Sequence, residues 1–119
     1  MNFKTRINKI FQAFDLPLPG KQAHTEMAPY RNEIELDFKN KNPKIASTLL
    51  LIYPKDGKTF FCLIERQEYE GKHSNQISFP GGKNESGESM KETALRETKE
   101  EIGVDPISIN IIGELTQVF

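Results

Sequence analysis

Glu97, Glu100 and Glu101 stand at a spacing that stacks side chains along one helical ridge. At 100° per residue they fall within an arc of about 100°. Three like charges so close repel one another, and a helix gains nothing from the crowding. A hard, oxygen-seeking divalent cation such as Mg²⁺ or Mn²⁺ relieves that repulsion. Arg96 lies one turn from both Glu92 and Glu100, where it can pair with either and orient the ridge. The glycine-rich loop ahead of the helix, with Gly81, Gly82 and Gly87, lets backbone groups approach a metal or a phosphate closely.

For Glu100 and Glu101 alone, a solvated acidic face is the ordinary reading. The whole spacing removes it. Gly82, five residues, Glu88, seven residues, Arg96-Glu97, two residues, Glu100-Glu101, one residue and Gly103 fix seven positions. At about 6% usage each, chance produces such a pattern on the order of once in a few million chains of this length.

The elements that must position these residues follow from periodicity and punctuation. Phe3, Ile7, Ile10, Phe11 and Phe14 predict an amphipathic first helix that stops before Leu16-Pro17-Leu18-Pro19-Gly20. The proline-rich stretch over residues 16–44 reads as an extended arm. Residues 45–53 read as a buried strand, 54–58 as a turn, 59–66 as the returning strand of a hairpin, and 76–79 as a short strand before the Pro80-Gly81-Gly82 breaker. Ser89 followed by Glu92 predicts a capping box, and Gly103 stands where a helix C-terminus favours positive φ. Residues 107–112 alternate as a further strand. The expected fold is therefore mixed α/β (α+β).

Composition bounds the rest. The chain has 119 residues, 36% of them apolar, and Lys plus Arg (16) nearly balances Asp plus Glu (17). One domain with a modest core is expected. So balanced a charge gives no field to draw nucleic acid or an anionic membrane. Its longest apolar run is far short of the ~20 residues of a spanning helix. The one cysteine, Cys62, excludes an internal disulfide and a multi-cysteine zinc site, and reads as a small apolar strand residue. A cytoplasmic protein is the default expectation.

The stretch from Gly82 to Val104 resembles the Nudix box of the Nudix hydrolases, G-x5-E-x7-R-E-U-x-E-E-x-G-U with U aliphatic. Thr98 departs from the pattern by standing where an aliphatic residue is usual. Its hydroxyl can bond a carbonyl of the preceding turn. The resemblance implies a Nudix-type α/β/α sandwich with a mixed sheet, and hydrolysis of a pyrophosphate that joins a nucleoside to another group. It also implies Mg²⁺ or Mn²⁺ held by Glu97 and Glu101, with Glu100 as third ligand and Gly82 as backbone ligand. Glu88 and Arg96 would be orienting residues, so Glu97, Glu100, Glu101 and Arg96 form the implied catalytic set. The family's general base varies and often lies downstream of the box.

The flanks narrow the likeness. His73-Ser74-Asn75-Gln76-Ile77-Ser78-Phe79-Pro80-Gly81-Gly82 is similar to the segment before the box in coenzyme A pyrophosphatases. Leu63 and Arg66 fit that subfamily's upstream element, and Pro17 to Gly20, Ala23-His24, Met27 to Pro29 and Arg31 fit its arm. Cys62, Ile64, Gln67, Gly71 and Asn75 depart from its commonest pattern. Gly71 replaces an arginine suited to a 3′-phosphate, a role Lys72 or Arg66 could take. The likeness implies that Arg66, His73, Gln76, Gly81 and Gly82 contact a small nucleotide substrate, that residues 1–43 form a helix and arm packing on the domain, and that a homodimer is one accessible state. Another nucleoside diphosphate conjugate as substrate, or a catalytically silent domain, are the competing readings.

The family's domain continues well beyond its box, whereas fifteen residues follow Val104 here. Residues 44–119 are accordingly expected to be the N-terminal portion of the domain, incomplete at the C-terminus. An unpaired apolar strand at a chain end invites association. Residues 1–119 expressed alone should thus melt weakly, associate and turn over poorly. A monomer with a cooperative melt and enzyme-like turnover would refute that expectation.

Overall fold

The computed structural model describes residues 1–30, 44–66 and 76–118. The chain divides into two compact units, one of Met1, Phe3–Pro43 and Ile111–Phe119, the other of Asn2 and Lys44–Asn110.

In the first unit, helix α1 (Phe3–Ala13) forms where the apolar periodicity places it. Its end tightens through Phe14, Asp15 and Leu16 N–H groups donating three residues back, at 3.0–3.2 Å. A second helix, α2 (Gly20–Met27), occupies part of the stretch read as an extended arm. The prolines do not forbid it. Pro17 precedes it, and Pro19 serves as N-cap with helical φ −63° and ψ −27°, where its missing N–H is no loss. In the C-terminal segment, Gly113 lies so close to the Phe14 ring that a Cβ there would collide with it.

The second unit carries the box. Strand β1 (Ala46–Thr48) pairs antiparallel with β6 (Gly81–Lys83), Ser47 opposite Gly82. The pairing extends through Leu49 N–H to the Pro80 carbonyl (2.8 Å) and Asn84 N–H to the Ile45 carbonyl (2.9 Å). Strands β2 (Ile52–Lys55) and β3 (Lys58–Phe61) form a hairpin around Asp56 and Gly57, whose φ values of 50° and 73° suit a tight primed turn. Strands β4 (Ile64–Glu65) and β5 (Ile77–Ser78) make a third antiparallel pair.

The stretch read as one buried strand over 45–53 is thus split between two ladders, and none of its described residues is fully buried. Gly81 and Gly82, read as a breaker, instead belong to a strand. Residues 107–112 form a 3₁₀ turn (Pro106–Ser108) followed by irregular chain rather than a strand. Pro106 sets the turn and the Asp105 carboxylate accepts from Ile107 N–H at 3.1 Å. Alternation yields a strand only where a partner edge supplies hydrogen bonds, and no described residue pairs with this stretch.

Helix α3 (Met90–Ile102) lies on the β1–β6 pair. Its buried residues are Thr93, Ala94 and Thr98, with Pro80 and Gly81 buried nearby in sequence on the strand side. Thr98 Oγ1 donates to the Ala94 carbonyl at 2.7 Å, so the hydroxyl at an aliphatic position is satisfied within its own helix. The molecule is mixed α+β. Among the described residues, no helix is long and apolar enough to cross a membrane.

Candidate functional site

Helix α3 starts as its sequence requires. Ser89 Oγ accepts from Glu92 N–H and Ser89 N–H donates to Glu92 Oε1, each at 3.1 Å. The helix ends on Gly103 in the left-handed region, φ 74°. This cap fixes the helix register and commits Glu92, which therefore does not serve Arg96.

Arg96 turns instead to the loop. Its Nε donates to Glu88 Oε2 at 2.6 Å, and its Nη2 to Glu88 Oε1 at 3.0 Å and to the Lys83 carbonyl at 3.1 Å. Nη1 remains for Glu97 Oε1 at 2.9 Å and both Glu100 oxygens at 3.4 Å. Glu85 adds a looser ion pair at 3.6 Å. The two-pronged pairing locks a planar guanidinium in both position and tilt. Donation from Arg96, then from Glu85 N–H, holds the Glu88 carboxyl down at about 2. The same Glu88 contact raises the Arg96 pKa further above its already high ordinary value, so it stays charged.

Glu97 and Glu101 face β6. A Cβ placed on Gly82 would stand 2.5 Å from Glu97 Cδ and 2.8 Å from each carboxylate oxygen, so only glycine leaves room for this carboxylate. Gly81 N–H donates to Glu101 Oε1 at 3.3 Å. Partial burial raises the Glu101 pKa, and the neighbouring charge of Glu97 pushes the same way. The Gly81 N–H and the Arg66 guanidinium oppose them. Glu97 is therefore close enough to disfavour the charge on Glu101.

This donor set fits a divalent cation. Among the described residues, no three His, Cys, Asp or Glu side chains gather closely enough to form a metal cage. Two carboxylates beside a glycine backbone nevertheless suit Mg²⁺, which commonly takes one or two carboxylates and completes its octahedron with water and substrate phosphate. Glu97 and Glu101 are the residues that would hold the ion, and Gly82 supplies the cradle. Glu100, 58% exposed, is drawn toward Arg96.

The remaining sequence candidates divide. Arg66 donates its backbone N–H to the Gln76 carbonyl at 2.9 Å beside the β4–β5 pair, and its guanidinium acts electrostatically on Glu101. Arg66, Gln76, Gly81 and Gly82 thus lie on strands or at their ends, with Arg66 brought toward the acidic ridge. His73, with Gly71 and Lys72, lies outside the described residues.

Sequence reasoning missed Asn84 and Thr93. Asn84 Nδ2 donates to Thr93 Oγ1 at 2.8 Å and to the Glu88 carbonyl at 3.0 Å, and Thr93 Oγ1 lies 3.0 Å from Glu88 Oε1. A β-branched polar residue inside a helix, one turn before Arg96 and Glu97, was the available signal.

A family model, the NUDIX domain, matches residues 43–119. The chain is 42% identical over 72 residues to Nudix hydrolase 3 of Caenorhabditis elegans, covering 60% of this chain and 30% of that protein. It is 39% identical over 87 residues to the uncharacterized Nudix hydrolase NudL of Escherichia fergusonii, covering 71% of this chain and 44% of that one. It is also 36% identical over 75 residues to the mitochondrial Nudix hydrolase 15 of Arabidopsis thaliana, 61% of this chain and 26% of that one. The chain spans less than half the length of these relatives. The matched region contains the capped helix, its Glu88–Arg96 lock and the paired carboxylates against Gly82, and with them the chain belongs to the Nudix hydrolase family.

Proposed function

We propose that the protein hydrolyses the pyrophosphate bond of coenzyme A or its derivatives, giving 3′,5′-adenosine bisphosphate and 4′-phosphopantetheine. The observation that carries the chemistry is the Glu97–Glu101 carboxylate pair facing the Gly81–Gly82 backbone beside a locked Arg96. A bound Mg²⁺ or Mn²⁺ supplies charge neutralisation at the pyrophosphate oxygens. Glu97 and Glu101 hold the ion, with Glu100 at the rim, and Arg96 keeps Glu97 oriented. Arg66 offers a cation to the phosphate oxygens, while Gly81 and Gly82 give up their side-chain space to β1 and to the Glu97 carboxylate. The choice of coenzyme A is supported by the likeness of residues 73–82 and of the N-terminal segment to coenzyme A pyrophosphatases. The catalytic portion is residues 44–119, with 1–43 accessory to it. A single thiol, Cys62, suits a reducing compartment such as the cytoplasm.

The test is incubation of the full-length protein with Mg²⁺ and a nucleotide panel, with products separated by chromatography. Coenzyme A should be cut at the pyrophosphate, its thiol end untouched. Dephospho-coenzyme A should be slower by roughly 10- to 100-fold in kcat/KM, because a charge-assisted contact to the 3′-phosphate is worth about 1.5–3 kcal/mol. Equal rates on both, or a preference for ADP-ribose or a dinucleoside polyphosphate, would move the assignment to another nucleoside diphosphate conjugate.

A further inference from the structure

Beneath the Glu88–Arg96 pair lies a polar chain with a single direction. Thr93 is fully buried, and its hydroxyl sits 2.8 Å from Asn84 Nδ2, 3.0 Å from Glu88 Oε1 and 3.1 Å from the Ser89 carbonyl. The amide nitrogen can only donate, so the hydroxyl oxygen accepts from Asn84 and its one proton must go elsewhere. Glu88 is ionised and accepts only, which makes its carboxylate a stronger acceptor than the Ser89 carbonyl. The order is therefore Asn84 amide to Thr93 hydroxyl to Glu88 carboxylate, with Glu88 in turn receiving Nε and Nη2 of Arg96. Asn84 also donates to the Glu88 carbonyl at 3.0 Å, so it grips that residue at backbone and, through Thr93, at side chain.

We infer that Thr93 and Asn84 are positioning residues for the metal ligand Glu97, acting through Glu88 and Arg96. The inference rests on the metal-dependent reading above. Arg96 touches Glu97 with Nη1 alone, and the direction of that nitrogen is set by where Glu88 holds the other two. A Glu88 carboxylate free to rotate would carry the guanidinium with it and release Glu97. Thr93, itself held by Asn84, removes that rotation together with the Glu85 N–H, which donates to the same Glu88 Oε1 at 2.9 Å. Thr93 does this from inside the packing of α3 on the β1–β6 pair, so the helix's dock and the aim of the ligand are fixed by one side chain.

Thr93→Val preserves shape and removes the hydroxyl; Thr93→Ser keeps the hydroxyl and removes a methyl. In the full-length protein, Mn²⁺ affinity would be measured by electron paramagnetic resonance of the free ion, alongside kcat, KM and melting temperature. Loss of an outer-shell partner weakens metal binding about 10- to 100-fold. Thr93→Val should therefore weaken Mn²⁺ binding at least about tenfold and lower kcat with KM little changed, while Thr93→Ser stays within about threefold of the parent. A merely structural Thr93 would change melting and leave Mn²⁺ affinity of the folded protein alone. That result would overturn the inference and leave the proposed function standing. If Thr93→Val does not fold, the half-buried Asn84→Ala decides, since unchanged Mn²⁺ affinity there overturns the inference and weakened affinity supports it. A parent protein that binds no Mn²⁺ would overturn both readings together.

Discussion

Glu97→Gln should lower hydrolytic turnover by at least about 10²-fold, with the melting temperature close to that of the parent. Glutamine keeps the length and shape of the side chain, and its amide oxygen can still accept from Arg96 Nη1, now 2.9 Å from Glu97 Oε1. The helix cap, the Glu88–Arg96 lock and the buried Thr93, Ala94 and Thr98 are untouched. What disappears is the negative charge that attracts a divalent cation. Its loss also removes a like charge beside Glu101, so packing should not suffer. Turnover in Mg²⁺ and Mn²⁺ affinity are the measurements. Near-normal turnover would show that the ridge is not the metal site.

Gly82→Ala should cost about as much activity by a different route. The new methyl would stand 2.5 Å from Glu97 Cδ, well inside the roughly 3.5–4.0 Å of a carbon–carbon contact. The obstructed atoms are the free end of a long side chain, so they can swing aside with little strain on the fold. The carboxylate, however, leaves its place, and a displacement of about 1 Å can lower turnover about 10²-fold. Gly81→Ala supplies the contrast. Its methyl would meet the Ser47 carbonyl oxygen and, at 2.6 Å, Thr48 Cα, which are backbone atoms of β1 that cannot swing. Gly82→Ala should thus lose turnover while melting near the parent, whereas Gly81→Ala should melt markedly lower as the β1–β6 ladder opens. Equal melting losses in both would show that Gly82 is a packing glycine rather than a cradle for the carboxylate.

Much of the site was legible because its rules are local. The Ser89–Glu92 box, the Gly103 cap and the helix between them depend on residues within about one turn of each other, and each stands where the spacing placed it. Thr98 likewise satisfies itself on Ala94, four residues back. The same locality misleads at the ends of the chain. Alternation over 107–112 yields no strand, because pairing needs an edge that the stretch itself does not contain. Proline content over 16–44 read as extension, yet α2 begins directly after Pro19, since a proline hinders only a helix that runs through it.

Sequence alone therefore determined the chemical identity of the site: carboxylates on one helical ridge, an arginine among them and glycines ahead of them. Tertiary structure decided which of these groups meet. Arg96 had Glu92 and Glu100 within helical reach and took Glu88 at 2.6 Å, because the Gly87 turn folds Glu88 back and the cap had already engaged Glu92. Gly82 came against Glu97 because β6 pairs with β1, more than thirty residues earlier, and α3 lies on that pair. Thr93 and Asn84 acquired a purpose only there. Helical spacing specifies which side chains share a face, but the partner across a strand or loop is chosen by long-range closure. Burial in that closed structure then leaves each donor few acceptors to choose from.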